Sequence, residues 1–327
     1  MMRLLARRIA LYLLTAVVAI TVNFFIPRLM PGNPVEAAIG HMQARVTPAT
    51  IRALDLQYGL NTKLGLWGQY LHYWGQLLQG NLGISFSSYP STVTSVIRSA
   101  LPWTIGLVGL ATIISFAAGT LLGIAAAWRR GSWLDNLLPA MTFFQAAPYF
   151  FVAILMVALF ATKLGWFPQN SGYDTTLLDP GLTSAYISGV LDHAVLPALT
   201  IVVGSVAGWI IGMRNMMLTT MDEDYVLIAQ AKGLSQQRVI RYAARNAILP
   251  SVSGFSLAIG FVVSGSLLTE IVFSYPGIGY ILLQAVSSED YPLLQGIFLI
   301  ITFAVLAANF IADLTYAVLD PRTRQEA

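Results

Sequence analysis

The chain contains no cysteine. Disulfides, thiolate metal sites and cysteine nucleophiles are therefore excluded, and cysteine usage says nothing about the redox compartment. Histidine is almost as scarce: His41, His72 and His193 stand far apart and form no ligand-spaced pair. Charge is the third shortage. Only 10% of the 327 residues are Asp, Glu, Lys or Arg, and 56% are hydrophobic, whereas about a quarter of a soluble domain is charged. That balance excludes a disordered chain and argues against a soluble enzyme. With 18 Lys and Arg against 15 Asp and Glu, the formal charge of +3 is too thin a surplus for a nucleic-acid-binding face. No Gly-x-x-x-x-Gly-Lys-Ser/Thr phosphate cradle occurs either, so the chain is not itself an ATPase of that kind. No catalytic residue and no metal ligand is expected, because nothing pairs a nucleophile with a base.

Long apolar runs fill the space that charge leaves. Crossing about 30 Å of hydrocarbon takes roughly 20 apolar helical residues, and six segments meet that length: Ile9 to Pro27, Pro102 to Trp128, Leu137 to Ala161, Ala194 to Met217, Ile248 to Phe273 and Leu293 to Leu319. The expected fold is an all-α polytopic membrane protein. Arg3, Arg7 and Arg8 before the first run imitate a signal peptide. The run is long for one, however, and Pro-Arg-Leu-Met-Pro-Gly follows it instead of a small-residue cleavage site, so a retained helix is expected.

Short basic loops stay cytoplasmic. If the N-terminus is inside, the inner set is Arg3, Arg7, Arg8, Arg129, Arg130, Arg214, Lys232, Arg238, Arg241, Arg245, Arg322 and Arg324, and the outer set is Arg28, Arg45, Arg52, Lys63, Arg98 and Lys163. The first set is twice the second, which places both termini in the cytoplasm. Arg214, near the inner end of the fourth run, is read as snorkelling to headgroups.

Two loops break the pattern. The outer one, 30–101, is too long to be structureless without a function. Thr47-Pro48 opens a short helix reaching Tyr58. Trp67 to Leu78 is a second helix with Tyr70, Tyr73, Trp74 and Leu77 at helical spacing. It suits a helix lying at headgroup level, a dock for an extracytoplasmic partner, or both. The inner loop, 218–250, spells helix, turn, helix. Asp222, Glu223 and Asp224 suit a helix N-terminus, Lys232-Gly233 a C-terminus, and Ser235 a second N-cap ahead of Arg238, Arg241 and Arg245. Pro250 fits the first turn of the next span. The basic stripe could rest on anionic headgroups; Ala229 and Ala231, small enough for another backbone to approach, favour docking into a protein cleft.

This inner loop resembles that of type I ABC-transporter permeases. Ala229 stands at the family's second Ala, Gly233 at its Gly, and Ile248-Leu249-Pro250 is a contracted form of its ending. Leu227 and Ile228 replace the family's Glu and first Ala, and the stretch from Gly233 to Pro250 is longer than the general pattern. These departures resemble the dipeptide/oligopeptide/nickel branch, which Asp224-Tyr225, Ala229-Gln230-Ala231-Lys232-Gly233-Leu234 and Arg245-Asn246-Ala247-Ile248-Leu249-Pro250 match closely. The likeness continues through Pro31-Gly32-Asn33-Pro34, Gly80-Asn81-Leu82-Gly83-Ile84-Ser85, the stretch from Glu270 to Gly279, Asp290-Tyr291-Pro292, and Asp320-Pro321-Arg322. Asn33 and Asn81 stand where Asp is common.

The resemblance implies a type I core over 102–319, preceded by the N-terminal tip and first helix over 1–29 and the extracytoplasmic loop over 30–101, and followed by a cytoplasmic tail over 320–327. It implies a second, homologous permease as heterodimer partner, two cytoplasmic ATPases that hold the ATP and Mg, an extracytoplasmic substrate-binding protein, and the inner membrane of a prokaryote. No cofactor is expected in this chain. The loop from Asp224 to Pro250 would couple to an ATPase, with Gly233 fixing the angle between docking helix and span. Arg45, Arg52, Tyr70 and Trp74 are candidates for the binding-protein dock. Ionisable groups within a membrane face a cavity or a partner helix, which makes Glu270 and Asp313, with Asn309 one turn before the latter, candidates for gate positioning or structural hydrogen bonding. Ser256, Gly260 and Ser264 form a small polar face that could line the path. Gly119 with Gly123, and Gly204, Gly208 and Gly212, suit close helix packing or a face sliding on the second permease. The cargo implied is a di- or oligopeptide, with oligosaccharide or nickel as alternatives. An ion-coupled secondary transporter working alone is the competing class; it would have no use for the inner loop.

Overall fold

A computed structural model describes residues 2–29, 65–264 and 266–319; the side chains of 2–6, 27–28, 143–146, 264 and 315–319 are not described. Arg45, Arg52, the helix expected to start at Thr47-Pro48, and the Asp320-Pro321-Arg322 ending lie outside the described residues, as does the side chain of Ser264. Among the described residues every named element is helical, apart from one isolated bridge between Ile84 and Thr92.

In chain order, α1 is Met2–Leu29, α2 Leu66–Leu78 and α3 Val93–Thr104. A π-helical turn, Ile105–Gly109, leads into α4, Leu110–Trp128. α5 is Trp133–Ala146 and α6 Tyr149–Met156, continued by a second π stretch, Val157–Lys163. α7 is Ser184–Met221, α8 Asp224–Ala231, α9 Gln236–Ala247 and α10 Leu249–Phe261. A 3-10 turn, Val262–Ser264, precedes α11, Leu267–Val272. α12 is Ile278–Ser287 and α13 Tyr291–Leu319.

Four stretches are long and apolar enough to cross a membrane: Arg7–Ile26, Val93–Trp128, Ser184–Met221 and Tyr291–Leu314. The third and fifth expected runs do not form single helices of that length; each is broken into shorter apolar helices. Pro148 has no N–H to donate and adopts φ −58, ψ 136 at the N-cap of α6, so α5 stops at Ala146. In the fifth, α10 tightens into the 3-10 turn and Ser266 adopts φ −89, ψ 73 before α11 restarts.

The chain forms two compact units, one of residues 1–103 and 276–307, the other of 104–275 and 308–327. In the first, Phe86, Val93, Ile97, Ile278, Leu293 and Ile297 are buried together. Asp290 is fully buried. One of its oxygens accepts from Ser85 Oγ, Ser87 Oγ and Ser87 N, the other from Leu293 N at 3.1 Å. It thus caps the start of α13 with a carboxylate, where the helix dipole favours one, and pins the loop after α2 to it. Asn23 Nδ2 donates to Gln295 O at 2.9 Å, and Gln295 Nε2 donates to Asn23 O at 2.9 Å. Each side-chain amide finds the backbone carbonyl of the facing helix in this way because lipid offers it nothing.

In the second unit α4 lies directly on α7. A Cβ on Gly123 would fall 2.6 Å from Ile210 O and 2.8 Å from Met213 Cβ, and one on Gly119 would overlap Trp209 Cβ. Gly204 faces the Tyr149 ring, whereas Gly212 faces open space. Gly119 and Gly123 therefore serve packing within this chain. Arg214 does not snorkel: its Nε donates to Asp135 Oδ1 at 2.6 Å, and Asp135 Oδ2 accepts from Gly131 N at 2.9 Å. The Arg214 guanidinium, helped by the Gly131 amide, holds the Asp135 carboxyl below the usual carboxylate range. A depressed folded pKa contributes stability that is present above the ordinary Asp value, about 3.9, and is lost as pH falls through the lower folded value. Asp135→Asn is expected to lower thermal stability at neutral pH and to flatten its acid dependence, read from melting temperatures between pH 7 and pH 3. An unchanged acid limb would show that the pair contributes nothing.

Candidate functional site

The inner loop folds as a helix, a Gly joint and a helix. Asp224 begins α8 after Glu223 in extended conformation. At its end Gly233 N donates to Gln230 O at 2.9 Å and Leu234 N to Ala229 O at 3.3 Å. This pair of bonds requires a left-handed residue between Lys232 and Leu234, and Gly233 supplies it with φ 74. A Cβ at Gly233 would meet nothing within 4 Å, so the requirement is conformational and not steric crowding. Ser235 stands at the N-cap of α9 but its side chain makes no cap bond there; its carbonyl accepts from Arg238 N and Val239 N, and Pro250 occupies the first turn of α10.

The two short helices are held from one side. Val226 is 0% exposed and sits in a buried cluster with Ala127 of α4, Met213 and Met217 of α7, and Val239, Ala243 and Ala247 of α9; Leu234 leans on the same cluster. The spacing of 239, 243 and 247 is one face of a helix, which leaves Arg238, Arg241 and Arg245 outward. Asn246 Nδ2 donates to Tyr225 Oη at 2.8 Å, tying α9 to α8. Nothing in their spacing links these two residues, which lie twenty-one positions apart. The free face of α8 is apolar, with Leu227 49% and Ile228 54% exposed beside the exposed Ala231. Ala229 is half-buried and Lys232 exposed. Exposed apolar side chains grouped on a short helix mark an interaction surface, for a protein or for the membrane.

The other sequence candidates divide. Tyr70 Oη and Thr21 Oγ1 lie 2.7 Å apart, Asn23 Nδ2 donates to Tyr73 Oη at 3.2 Å, and the Phe24 ring meets Tyr70 edge-on at 5.2 Å. Tyr70 thus turns toward α1, with Trp74 half-buried against it. Leu66, Trp67, Leu71 and Leu78 form the outward side of α2, as an interfacial helix requires. Ser256 is half-buried and spends its hydroxyl on Val252 O. Gly260 is buried where α10 crosses α13, with Ala308 against it. Asn309 and Asp313 are half-buried one turn apart on α13, and Glu270 is 0% exposed in the first turn of α11. None of these lines a cavity of about 1020 Å³ in the second unit, which is walled instead by parts of α4, α6, α7, α10 and α11 and by the turns beside them. Tyr149, Ser205, Trp209 and Ser266 line it and no sequence signal marked them. Their meeting depends on where two helices are interrupted.

Apolar spanning helices joined to an externally apolar helix–Gly–helix loop define a membrane transport permease. Residues 119–325 match the family described as binding-protein-dependent transport system inner membrane component, and the chain belongs to that family. A Brucella suis biovar 1 protein named as a peptide permease is 37% identical over 94% of each chain. The di/tripeptide transport system permease protein DppB of Pseudomonas aeruginosa is 34% identical over the full length of both. A Sinorhizobium fredii protein named as a peptide ABC transporter permease is 31% identical over 98% of each.

Proposed function

We propose that the chain is one of two membrane subunits of an ATP-driven importer of di- and oligopeptides that works by alternating access. The reading is carried by the α8–Gly233–α9 loop, which offers an apolar helix anchored at one residue and angled by one joint. The names of the relatives support peptide cargo.

In this reading two cytoplasmic ATPases bind ATP and Mg, and one of them covers Leu227, Ile228 and Ala231. Closing of the ATPases moves α8 as a lever, and α9 and α10 pass the movement to the spans. The second permease completes a heterodimer. A binding protein delivers cargo at the outer loop, where Arg45 and Arg52 lie, and the inner membrane of a prokaryote holds the chain with both termini in the cytoplasm. Asp224, Tyr225, Lys232, Arg245, Asn246 and Pro250 shape the coupling loop; Glu270, Asn309 and Asp313 are gate or packing positions. The organisation into 1–29, 30–101, 102–319 and 320–327 belongs to the same reading.

The test is reconstitution. The complex purified through a tag on this chain is expected to bring ATP-binding subunits with it and, in proteoliposomes with its binding protein, to take up trialanine only when ATP is supplied. Uptake driven by an ion gradient without ATP would replace the reading with secondary transport. ATP-driven uptake of an oligosaccharide or nickel and not of peptide would keep the machinery and change the cargo.

A further inference from the structure

Three departures from α-helix converge on the cavity of the second unit. Val108 belongs to the π turn 105–109, Pro148 and Tyr149 to the break between α5 and α6, and Val262 and Ser266 to the 3-10 turn and restart before α11; all five line the same space. The π turn and the 3-10 turn are neighbours, for a Cβ on Gly109 would touch Val262 Cγ1 at 3.7 Å. At membrane depth irregular backbone is tolerated where it is buried in protein or lines a wet cavity, not against lipid. One such break could be an accident of packing; three on one cavity mark a protein-lined space sheltered from lipid.

The chemistry of the wall narrows the cargo. Among the described residues the lining includes no Asp, Glu, Lys or Arg. Its polar groups are Tyr149, Trp209 and the hydroxyls of Thr112, Ser205 and Ser266, which donate to Val108 O, Ile201 O and Thr269 Oγ1 and so offer cargo only acceptor oxygens, set among Ile201, Ala258, Phe261 and their neighbours. A charged side chain would find no counter-charge here, and burying it unpaired is costly. Neutral amides and apolar side chains would find hydroxyls and rings. A volume of about 1020 Å³ is within reach of a short peptide.

We propose that this cavity is the chain's part of the peptide passage, meeting the cargo through uncharged groups and the three helix breaks, and favouring neutral, apolar peptides over charged ones. The inference rests on the peptide reading above. The natural absence of cysteine makes the test direct, because Thr112→Cys and Ala258→Cys each place one thiol in the chain. In the reconstituted complex a charged methanethiosulfonate is expected to modify both at least about tenfold faster than Leu13→Cys, on the 63% exposed outer side of α1, and saturating trialanine is expected to slow the two cavity sites alone. Reaction as slow as at Leu13→Cys would identify a lipid-filled groove and overturn the inference. Fast reaction that trialanine leaves unchanged, or that trilysine slows as well as trialanine, would also overturn it. Wild-type complex that imports no peptide at all would instead remove the peptide reading, a failure visible in uptake before any thiol is introduced.

Discussion

Gly233→Val is expected to leave the chain inserted and assembled with its partners, yet to cut binding-protein-stimulated ATP hydrolysis and peptide uptake about tenfold or more. The left-handed conformation costs an L-residue roughly 1–2 kcal/mol, and a β-branched side chain is among the worst suited to it. The φ of 74 can be kept only by bearing that strain. It can be relieved only by breaking the Leu234 N to Ala229 O and Gly233 N to Gln230 O bonds. Once the strain is relieved α8 leaves its present angle, and Leu227 and Ile228 point elsewhere. Because Val226 still anchors the helix in a buried cluster, the loop should re-aim and not unfold. Gly233→Asn is the matching control: Asn tolerates positive φ and the space around the Cβ is open, so most coupling should survive. ATPase assays in proteoliposomes, with and without binding protein, read the effect. Full stimulation in the valine variant would mean that the joint does not set the docking angle.

The features that local chemistry controls were legible. The inner helix–Gly–helix loop could be drawn from N-cap residues, a cation and a glycine, because helix ends are decided within a few residues of themselves. The four long spans were legible for the same reason, since a run of apolar residues needs no partner to declare itself. The third and fifth spans were misread as continuous because hydropathy sees Phe150 and Val262 as apolar and is blind to a missing N–H at Pro148 or to a turn tightening at Val262–Ser264. Everything built on those breaks went with them. Ser256 and Gly260 lie on a polar-small face, yet Ser256 satisfies its own helix and Gly260 makes room for Ala308, while Ala258 and Phe261, unremarkable in sequence, line the cavity. Arg214 failed differently. Snorkelling is what an arginine does near a helix end when nothing answers it, and Asp135, seventy-nine positions away, answers it. Tyr70 was read by its amphipathic ring, but its hydroxyl is used by Thr21. Long-range partners of this kind leave no trace in spacing.

Gly123 is a position where a small change should do large damage to the fold. Even Gly123→Ala places a methyl 2.6 Å from Ile210 O, 2.8 Å from Met213 Cβ and 3.1 Å from Arg214 N. Two of these three are backbone atoms of α7, so no rotamer change can make room and the helices must part. Overpacking of this kind costs about 1–3 kcal/mol, and Gly123→Val should cost more, measured as a fall in the melting temperature of the purified complex. The damage should also reach the coupling loop. Met213 and Met217 of α7 form the floor on which Val226 rests, so displacing α7 from α4 loosens the lever at its root, and ATPase stimulation should fall with stability. Gly212→Ala on the same helix is the counter-experiment. Its Cβ would meet nothing within 4 Å in this chain, and alanine is favoured over glycine in a helix by roughly 0.5–1 kcal/mol. Stability should hold or rise slightly. If Gly212→Ala keeps stability but loses transport, the open side of α7 is a face on which the second permease moves, and the glycines of α7 divide between two tasks: Gly204 fitting the Tyr149 ring within the chain, and Gly212 serving the partner outside it.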